Sequence, residues 1–108
     1  MPIRLAGRNS HYYGRVEVYY DGEWGAVCDD GWNNNDATVV CRQLGFYSSV
    51  GAYGSAHYGQ GTGPIWLTRL SCIGTEPNLT DCTQSSAGTK NCTHSDDASV
   101  VCYGNRRK

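Results

Sequence analysis

Apolar and polar residues alternate along the N-terminal quarter of the chain, which is the grammar of half-buried strands. Ile3-Arg4-Leu5-Ala6 predicts an edge strand, followed by the polar turn Gly7-Arg8-Asn9-Ser10. Gly14-Arg15-Val16-Glu17-Val18-Tyr19-Tyr20 sets Val16, Val18 and Tyr20 on one face, and Glu23-Trp24-Gly25-Ala26-Val27 resumes the alternation after Asp21-Gly22. An Asp-Gly pair between two alternating runs is a strong hairpin signal, because glycine accepts the positive φ of the turn. Strand grammar then stops at Cys28. Asp29-Asp30-Gly31 is a turn signal, so two adjacent carboxylates are expected to project from a strand end that Cys28 can pin covalently.

The period changes after Trp32. Asn33 is placed to cap a helix, with Asp36 reaching back as its N3 carboxylate, and Ala37, Val40, Cys41 and Leu44 follow at helical spacing along one apolar face before Gly45 as the C′ residue. Cys41 therefore points into the core and needs a partner from an element packed on the helix, for which Ala98-Ser99-Val100-Val101-Cys102 is a natural strand. Tyr47 to Gly63 is rich in Gly, Ser and Tyr with weak periodicity and reads as a long surface loop carrying at most one irregular strand. Pro64-Ile65-Trp66-Leu67 reads as a short strand, and Leu70 leads to Cys72. The segment between Cys72 and Cys82 holds a turn and one helical turn, and a local bridge closing it is among the cheapest of the cysteine pairings in loop-closure entropy.

Composition narrows the class. The chain has 108 residues, six cysteines, 14 glycines, three tryptophans and eight tyrosines, which describes one small, loop-rich domain stapled by bridges. The cysteine gaps are 13, 31, 10, 10 and 10, with no Cys-x-x-Cys pair to form a zinc knuckle. Net charge is −1, and subtracting the three cations of the Asn105-Arg106-Arg107-Lys108 tail gives −4, a balance that excludes a general nucleic-acid binder. No apolar run spans a bilayer, and the N-terminus lacks a signal-peptide core. The expected organisation is a single domain over 3–103, with 1–2 and 104–108 as expression or linker tails on a piece of a longer secreted or membrane-anchored chain.

Read in order, these motifs resemble the scavenger receptor cysteine-rich (SRCR) domain family. The resemblance rests on Ile3-Arg4-Leu5, Gly14-Arg15-Val16-Glu17-Val18, Trp24-Gly25 and Val27-Cys28-Asp29-Asp30-Gly31-Trp32. It continues through Asp36-Ala37, Val39 to Phe46, Gly59 to Leu67 and Cys72 to Glu76, and ends with Asn91-Cys92-Thr93-His94 and Asp97-Ala98. It implies an α+β fold, a curved antiparallel β-sheet cradling one α-helix, with bridges Cys28 to Cys92, Cys41 to Cys102 and Cys72 to Cys82. Members with eight cysteines carry a further bridge whose positions fall at Tyr12 and Phe46, where a packed aromatic contact is expected instead. The six-cysteine pattern is similar to that of the group containing the macrophage scavenger receptors.

The resemblance also implies one calcium site at Asp29, Asp30 and Asp96, with Asn91 as a weaker candidate. Three carboxylates drawn together repel one another unless a hard cation sits between them, and Ca²⁺ takes oxygen ligands. The plain alternative is aspartates that end turns in solvent. A second family cation site would need a carboxylate at Thr68 and is not expected, and Asp97 reads as structural. Asn78-Leu79-Thr80 is a candidate glycosylation sequon; Asn91-Cys92-Thr93 is a weaker one, with a half-cystine at its centre. Arg42 and Arg69 are candidate ligand contacts. Catalysis is not expected: His11, His57 and His94 supply bases on composition alone, with no nucleophile elbow, metal helix or phosphate loop around them. The function expected is an extracellular ligand-binding module of a scavenger-type receptor, with calcium bridging polyanionic or microbial surface ligands. The alternative is a protein-interaction module within a larger secreted or membrane-anchored protein, the isolated domain being monomeric in either case.

Overall fold

The computed structural model describes residues 2–84 and 92–105. Its strands are β1 (Ile3–Ala6), β2 (Tyr13–Tyr20), β3 (Glu23–Val27), β4 (Phe46–Tyr53), β5 (Ile65–Leu67), β6 (Leu70–Ser71), β7 (Thr83–Gln84) and β8 (Ser99–Asn105), with one helix, α1 (Asn34–Gln43). Leu79–Asp81 and His94–Asp96 are single 3-10 turns. The main sheet has six strands in the order β4-β8-β2-β3-β5, with β1 paired to β2 on the edge opposite β3, and it curls around α1. The predicted hairpin forms with both turn residues at positive φ, Asp21 at 52° and Gly22 at 79°.

The sheet is mixed rather than wholly antiparallel, because β3 pairs with β5 in parallel. A parallel neighbour requires a long crossover, and α1, β4 and the following loop supply it. Trp66 of β5 lies across β3 and donates its indole N–H to the Glu23 carbonyl at 3.0 Å. Gly25 makes this possible: a Cβ there would stand 2.3 Å from Trp66 Cδ1 and 2.8 Å from the Pro64 carbonyl oxygen.

The core is built of valine and cystine rather than large aliphatics. Val16, Val18, Val27, Val39, Val40 and Val100 have no exposed surface, and Cys41 and Cys102 join α1 to β8 among them. Complete burial of each such side chain contributes roughly 1.5–3 kcal/mol. Tyr20 does not belong with Val16 and Val18 as the alternation predicts. It lies at the hairpin end, beyond the helix that covers the core, and is 54% exposed with its ring against Trp66.

The α1 N-terminus shows the full capping box. Asn33 Oδ1 accepts from the amides of Asn35 and Asp36, and Asp36 Oδ2 accepts from the Asn33 amide at 2.8 Å. Asp36 is fully buried, and its Oδ1 also accepts from the Cys72 amide at 2.9 Å, so one carboxylate caps the helix and anchors the Cys72–Cys82 loop. Burial pushes this carboxyl above its ordinary pKa, opposed by the two amide hydrogen bonds.

Tyr47 to Gly63, expected to carry at most one irregular strand, holds one: β4, which begins at Phe46 and is the strand on which α1 packs most closely. A bulge between Ser49 and Gly51 breaks its alternation and turns Val50 out to solvent, while Ser49 and Ala52 are small because the helix lies on them; Thr38 and Ser49 hydroxyls meet at 3.3 Å. The expected tails at 1–2 and 104–108 are shorter than placed: Pro2 accepts from the Tyr19 amide, and Gly104 and Asn105 are strand residues, Asn105 pairing with Phe46. Met1 and 106–108 lie outside the described residues.

Two stability measurements follow. Gly25→Ala is expected to destabilise the domain by about 1–3 kcal/mol through displacement of Trp66 and β5, read as a lower urea midpoint; an unchanged midpoint would mean that β5 rides off β3 without cost. Glu76 accepts from the amides of Ile73 and Gly74, and these hydrogen bonds, Ile73 first, hold its carboxyl below the ordinary range. A depressed folded pKa contributes stability above the unfolded value and loses it as pH falls through the folded one. The stability difference between the native domain and Glu76→Gln should therefore be present at neutral pH and vanish on acidification through the carboxylate range; a difference independent of pH would assign it to packing.

Candidate functional site

The acidic end of β3 is assembled by backbone pairing. Cys28 forms an isolated bridge with Asp97, the Ala98 amide donates to the Val27 carbonyl at 2.8 Å, and the Asp29 amide donates to the Asp96 carbonyl at 2.8 Å. Cys28 is bonded to Cys92, which locks the approach to the 3-10 turn carrying Asp96 against this strand end. Asp29 and Asp96, 67 positions apart in sequence, are thus immediate neighbours.

Each carboxylate is also held by its own surroundings. Asp29 Oδ2 accepts from the Ser55 amide at 2.7 Å, an approach that requires glycine at 54, since a Cβ there would lie 2.6 Å from the same oxygen. Asp96 Oδ2 accepts from the Thr93 amide at 3.1 Å. Asp30 pairs with Arg69 at 3.0 Å beside a cavity of ≈ 250 Å³ lined by Asp30, Gly31, Asn33, Arg69, Leu70 and Ser71. Arg69 Nε is buried and makes no hydrogen bond among the described residues.

The donor set, three hard carboxylate oxygens beside solvent, fits Ca²⁺ in kind. Their present spacing is wider than a closed site: among the described residues, the metal-capable trio with ligand atoms within 4.8 Å of one another is Cys72, Glu76 and Cys82, whose two sulfurs are spent in a disulfide. Thr68 lies against the Cys28–Cys92 bond, its hydroxyl 3.6 Å from Cys92 Sγ. Asn91 lies outside the described residues.

Strain collects at this end of the molecule. Four non-glycine residues have positive φ among the described residues: Asp21 in the hairpin turn, and Ser55, Ala56 and Arg69 at 55°, 54° and 55°. Ser55 donates to Asp29, Ala56 adjoins it and Arg69 pairs with Asp30, so all but the hairpin residue border the two carboxylates. Such conformations cost about 1–3 kcal/mol each.

Asp97 is wholly buried and holds the loop after β4. It accepts from the Gly61 amide at 2.7 Å, its carbonyl accepts from Ala56, and its carboxylate meets His94 Nδ1 at 3.0 Å. His94 Nε2 is 2.8 Å from the Gly63 carbonyl. Both ring nitrogens face acceptors, so the imidazolium satisfies both; the Gly63 carbonyl foremost, then Asp97, raises its pKa against the opposing effect of burial. His11 stacks on Phe46 and His57 on Tyr53, so the three histidines occupy separate settings.

The arginines singled out from sequence are not the main basic surface. Arg42 sits in the last turn of α1, where its Nε donates to the Tyr47 carbonyl, and Arg69 serves Asp30. A second group lies on β1, β2 and the turn between them, with Arg4 half exposed and Arg15 only 12% exposed. Arg4 and Arg15 share the nearly buried Glu17 at 2.7 and 2.9 Å, and Arg4 also lies over the Trp24 ring at 4.1 Å. Arg8 reaches over Tyr58 at 5.7 Å, and its guanidinium and that of Arg15 lie 3.9 and 3.6 Å from where a Gly59 Cβ would stand. Two of these cations thus share one carboxylate, and Arg8 lies beside Arg15. The signal in the sequence is the outward set Arg15-Glu17-Tyr19, alternate to Val16 and Val18, but the convergence of Arg4 and Arg8 on it depends on the β1–β2 register.

Asn78 is exposed beside the buried Leu79, and its side chain makes no cap hydrogen bond to the 3-10 turn that follows. All described cysteines are disulfide-bonded, as in an extracellular domain, and among the described residues no helix is long and apolar enough to cross a membrane.

Comparison with known proteins places this architecture. The family described as "Scavenger receptor cysteine-rich domain" matches residues 6–103. A Patiria pectinifera protein named for the scavenger receptor cysteine-rich domain superfamily is 52% identical over 100 residues, covering 93% of this chain but only 9% of the relative's length. The crystal structure of the third SRCR domain of murine neurotrypsin superposes with a TM-score of 0.88 at 46% identity, over 94% of both chains. That of the dimeric form of the SRCR domain of mouse MARCO gives 0.74 at 53% identity, over 83% of this chain and 85% of the other. From its cystines and curled sheet to these matches, the chain belongs to the scavenger receptor cysteine-rich domain family.

Proposed function

We propose that this domain is an extracellular ligand-binding module for polyanionic or microbial surface polymers, with a calcium ion held by Asp29, Asp30 and Asp96 and the Arg4, Arg8 and Arg15 face assisting. The observation that carries this reading is the concentration of backbone strain around the acidic strand end: Ser55, Ala56 and Arg69 adopt costly conformations where Asp29 and Asp30 are positioned, and nowhere that the core requires it. Bound there, calcium would supply a divalent charge able to bind ligand sulfate or carboxylate oxygens directly. The arginine group would assist with longer polyanions through Arg4, whose side chain is half exposed although paired with Glu17.

A protein-interaction module is the second reading, favoured by the exposed Tyr19 and Tyr20 near the Arg4–Trp24 pair, residue types that concentrate binding energy at interfaces. The related MARCO domain has a dimeric form. A salt titration separates the two, because binding of a polyanion falls steeply with ionic strength and an aromatic-centred interface does not. Asn78 is proposed as a glycan attachment site on the basis of its exposure.

Extracellular oxygen-ligand sites have dissociation constants of about 10⁻⁴–10⁻³ M. Calcium at roughly tenfold excess over that value should stabilise the domain by about 1.4 kcal/mol, seen as a higher melting temperature. Asp30→Asn should abolish most of the increment; an undiminished response in that variant would move the site elsewhere. In binding to dextran sulfate, chelation should weaken the native domain more than any single Arg→Ala change at 4, 8, 42 or 69, and a tethered trimer should bind far more tightly than the monomer. Curves unmoved by chelator but abolished by arginine substitution would replace calcium bridging by a purely basic contact surface.

A further inference from the structure

The surface holds a second concave site, which shares no lining residue with the acidic strand end or the arginine group. It is a groove of ≈ 380 Å³ lined by His11, Tyr12, Phe46, Cys102, Tyr103 and Gly104. That volume is within the roughly 300–1,000 Å³ of small-molecule sites. Tyr12 and Tyr103 are 45% and 46% exposed, and His11 stacks on Phe46 at 6.2 Å with ring planes 21° apart. Tyr12 and Phe46 do not form the direct packed contact expected from the sequence; His11 takes the place on Phe46, and the space stays open.

The framework of the groove is rigid where its rings are exposed. The Cys102 amide donates to the Tyr12 carbonyl at 2.7 Å, Cys102 is bonded to Cys41 in the core, and Phe46 and Tyr103 belong to the paired strands β4 and β8. Gly104, at φ 72°, lets the backbone pass where a Cβ would meet Tyr47 Cβ at 2.8 Å. Exposed aromatic side chains held on a fixed backbone are organised before any ligand arrives, which removes part of the entropic cost of binding.

Among the described residues, the lining contains no carboxylate, ammonium or guanidinium group. Its chemistry is aromatic faces with two phenol hydroxyls and an imidazole at the rim. Aromatic faces carry negative quadrupole charge and attract the weakly positive C–H face of a saturated ring, while phenol and imidazole both donate and accept hydrogen bonds. An uncharged lining is complementary to an uncharged ligand. We infer that this groove is a second ligand site, for a neutral pyranose at the end or branch of a glycan, and that it works without calcium and without the arginine face. A quaternary ammonium would need rings around it on several sides, whereas the His11 and Phe46 faces are turned on each other.

The test is an amide-resolved NMR titration of the intact, disulfide-bonded domain with neutral methyl hexosides, each with and without EDTA. Choline chloride serves as the comparison ligand. At least one hexoside should shift residues 11–12, 46–47 and 102–104 at millimolar concentration, identically with and without EDTA. Tyr103→Ala and Tyr12→Ala, folded by circular dichroism, should weaken this response at least tenfold, and Tyr20→Ala should leave it unchanged. Should Tyr103→Ala fail to fold, Tyr103→Phe keeps the ring and should retain binding within a few-fold. Absence of hexoside shifts at the groove up to about 50 mM overturns the inference, as does a stronger response to choline, or loss of the response on adding EDTA. Because the proposed calcium site is read out by chelation and dextran sulfate, either proposal can fail while the other stands.

Discussion

Asp97 has no exposed surface, and the segments outside the main sheet are fastened through it. A buried carboxylate is tolerated only if donors surround it. Here the Gly61 amide and the His94 imidazole are those donors, while the backbone of the same residue pairs with Cys28 and accepts from Ala56. The loop after β4, the 3-10 turn carrying Asp96 and the end of β3 therefore meet at one residue. With that meeting point fixed, Asp96 stands beside Asp29, and the strained Ser55 and Ala56 are held over it. Asp36 plays the matching part at the other side of the helix, joining the α1 N-terminus to the Cys72–Cys82 loop. Two buried aspartates thus organise the loops that a small valine core cannot reach.

The cystines complete that division of labour. Cys41–Cys102 lies within the core and adds to helix-on-sheet packing, Cys72–Cys82 closes the loop that sends Leu79 into the same core, and Cys28–Cys92 secures the approach to the 3-10 turn at 94–96. In a chain of 108 residues, closing loops of 64 and 61 residues constrains the unfolded state strongly, each closure contributing roughly 4 kcal/mol if chain entropy dominates. Stability from cross-links leaves the surface free to carry tyrosine, tryptophan and arginine, which a larger core would have drawn inward.

How much of this was legible in the sequence depended on how local each feature is. The Asp21-Gly22 hairpin, the Asn33–Asp36 capping box and Gly45 at positive φ after the helix are each contained within a few residues, and all are present as read. β4 shows in the sequence only as one irregular strand within a Gly-, Ser- and Tyr-rich stretch, because its bulge interrupts the period of two and the residues beneath the helix are small. The parallel β3–β5 pairing and the gathering of Arg4, Arg8 and Arg15 are long-range outcomes of register, invisible to any window of the chain. Asp29 and Asp30 could be singled out because a strand end announces itself; that Asp30 is already paired with Arg69 could not, since Arg69 owes its position to a positive φ unexpected of arginine.

β4 also sets the relation between the two proposed sites. Phe46, its first residue, lines the aromatic groove, and Tyr53, its last, is followed by Gly54 and Ser55 against Asp29. At about 3.3 Å per residue, seven steps along the strand separate the ends by roughly 23 Å, less what the bulge takes up. That is more than two Debye lengths at physiological salt, so a charge gained or lost at the carboxylates has little direct effect on the groove. The same strand pairs with β8 along most of its length and carries α1 on its inner face, which makes it a stiff spacer. A polymer long enough to reach both ends would meet two weak sites at a fixed separation, and its second contact would be intramolecular with an effective concentration set by its own stiffness. Discrimination among polymers would then arise from the spacing of neutral and anionic units along the ligand rather than from the strength of either contact alone.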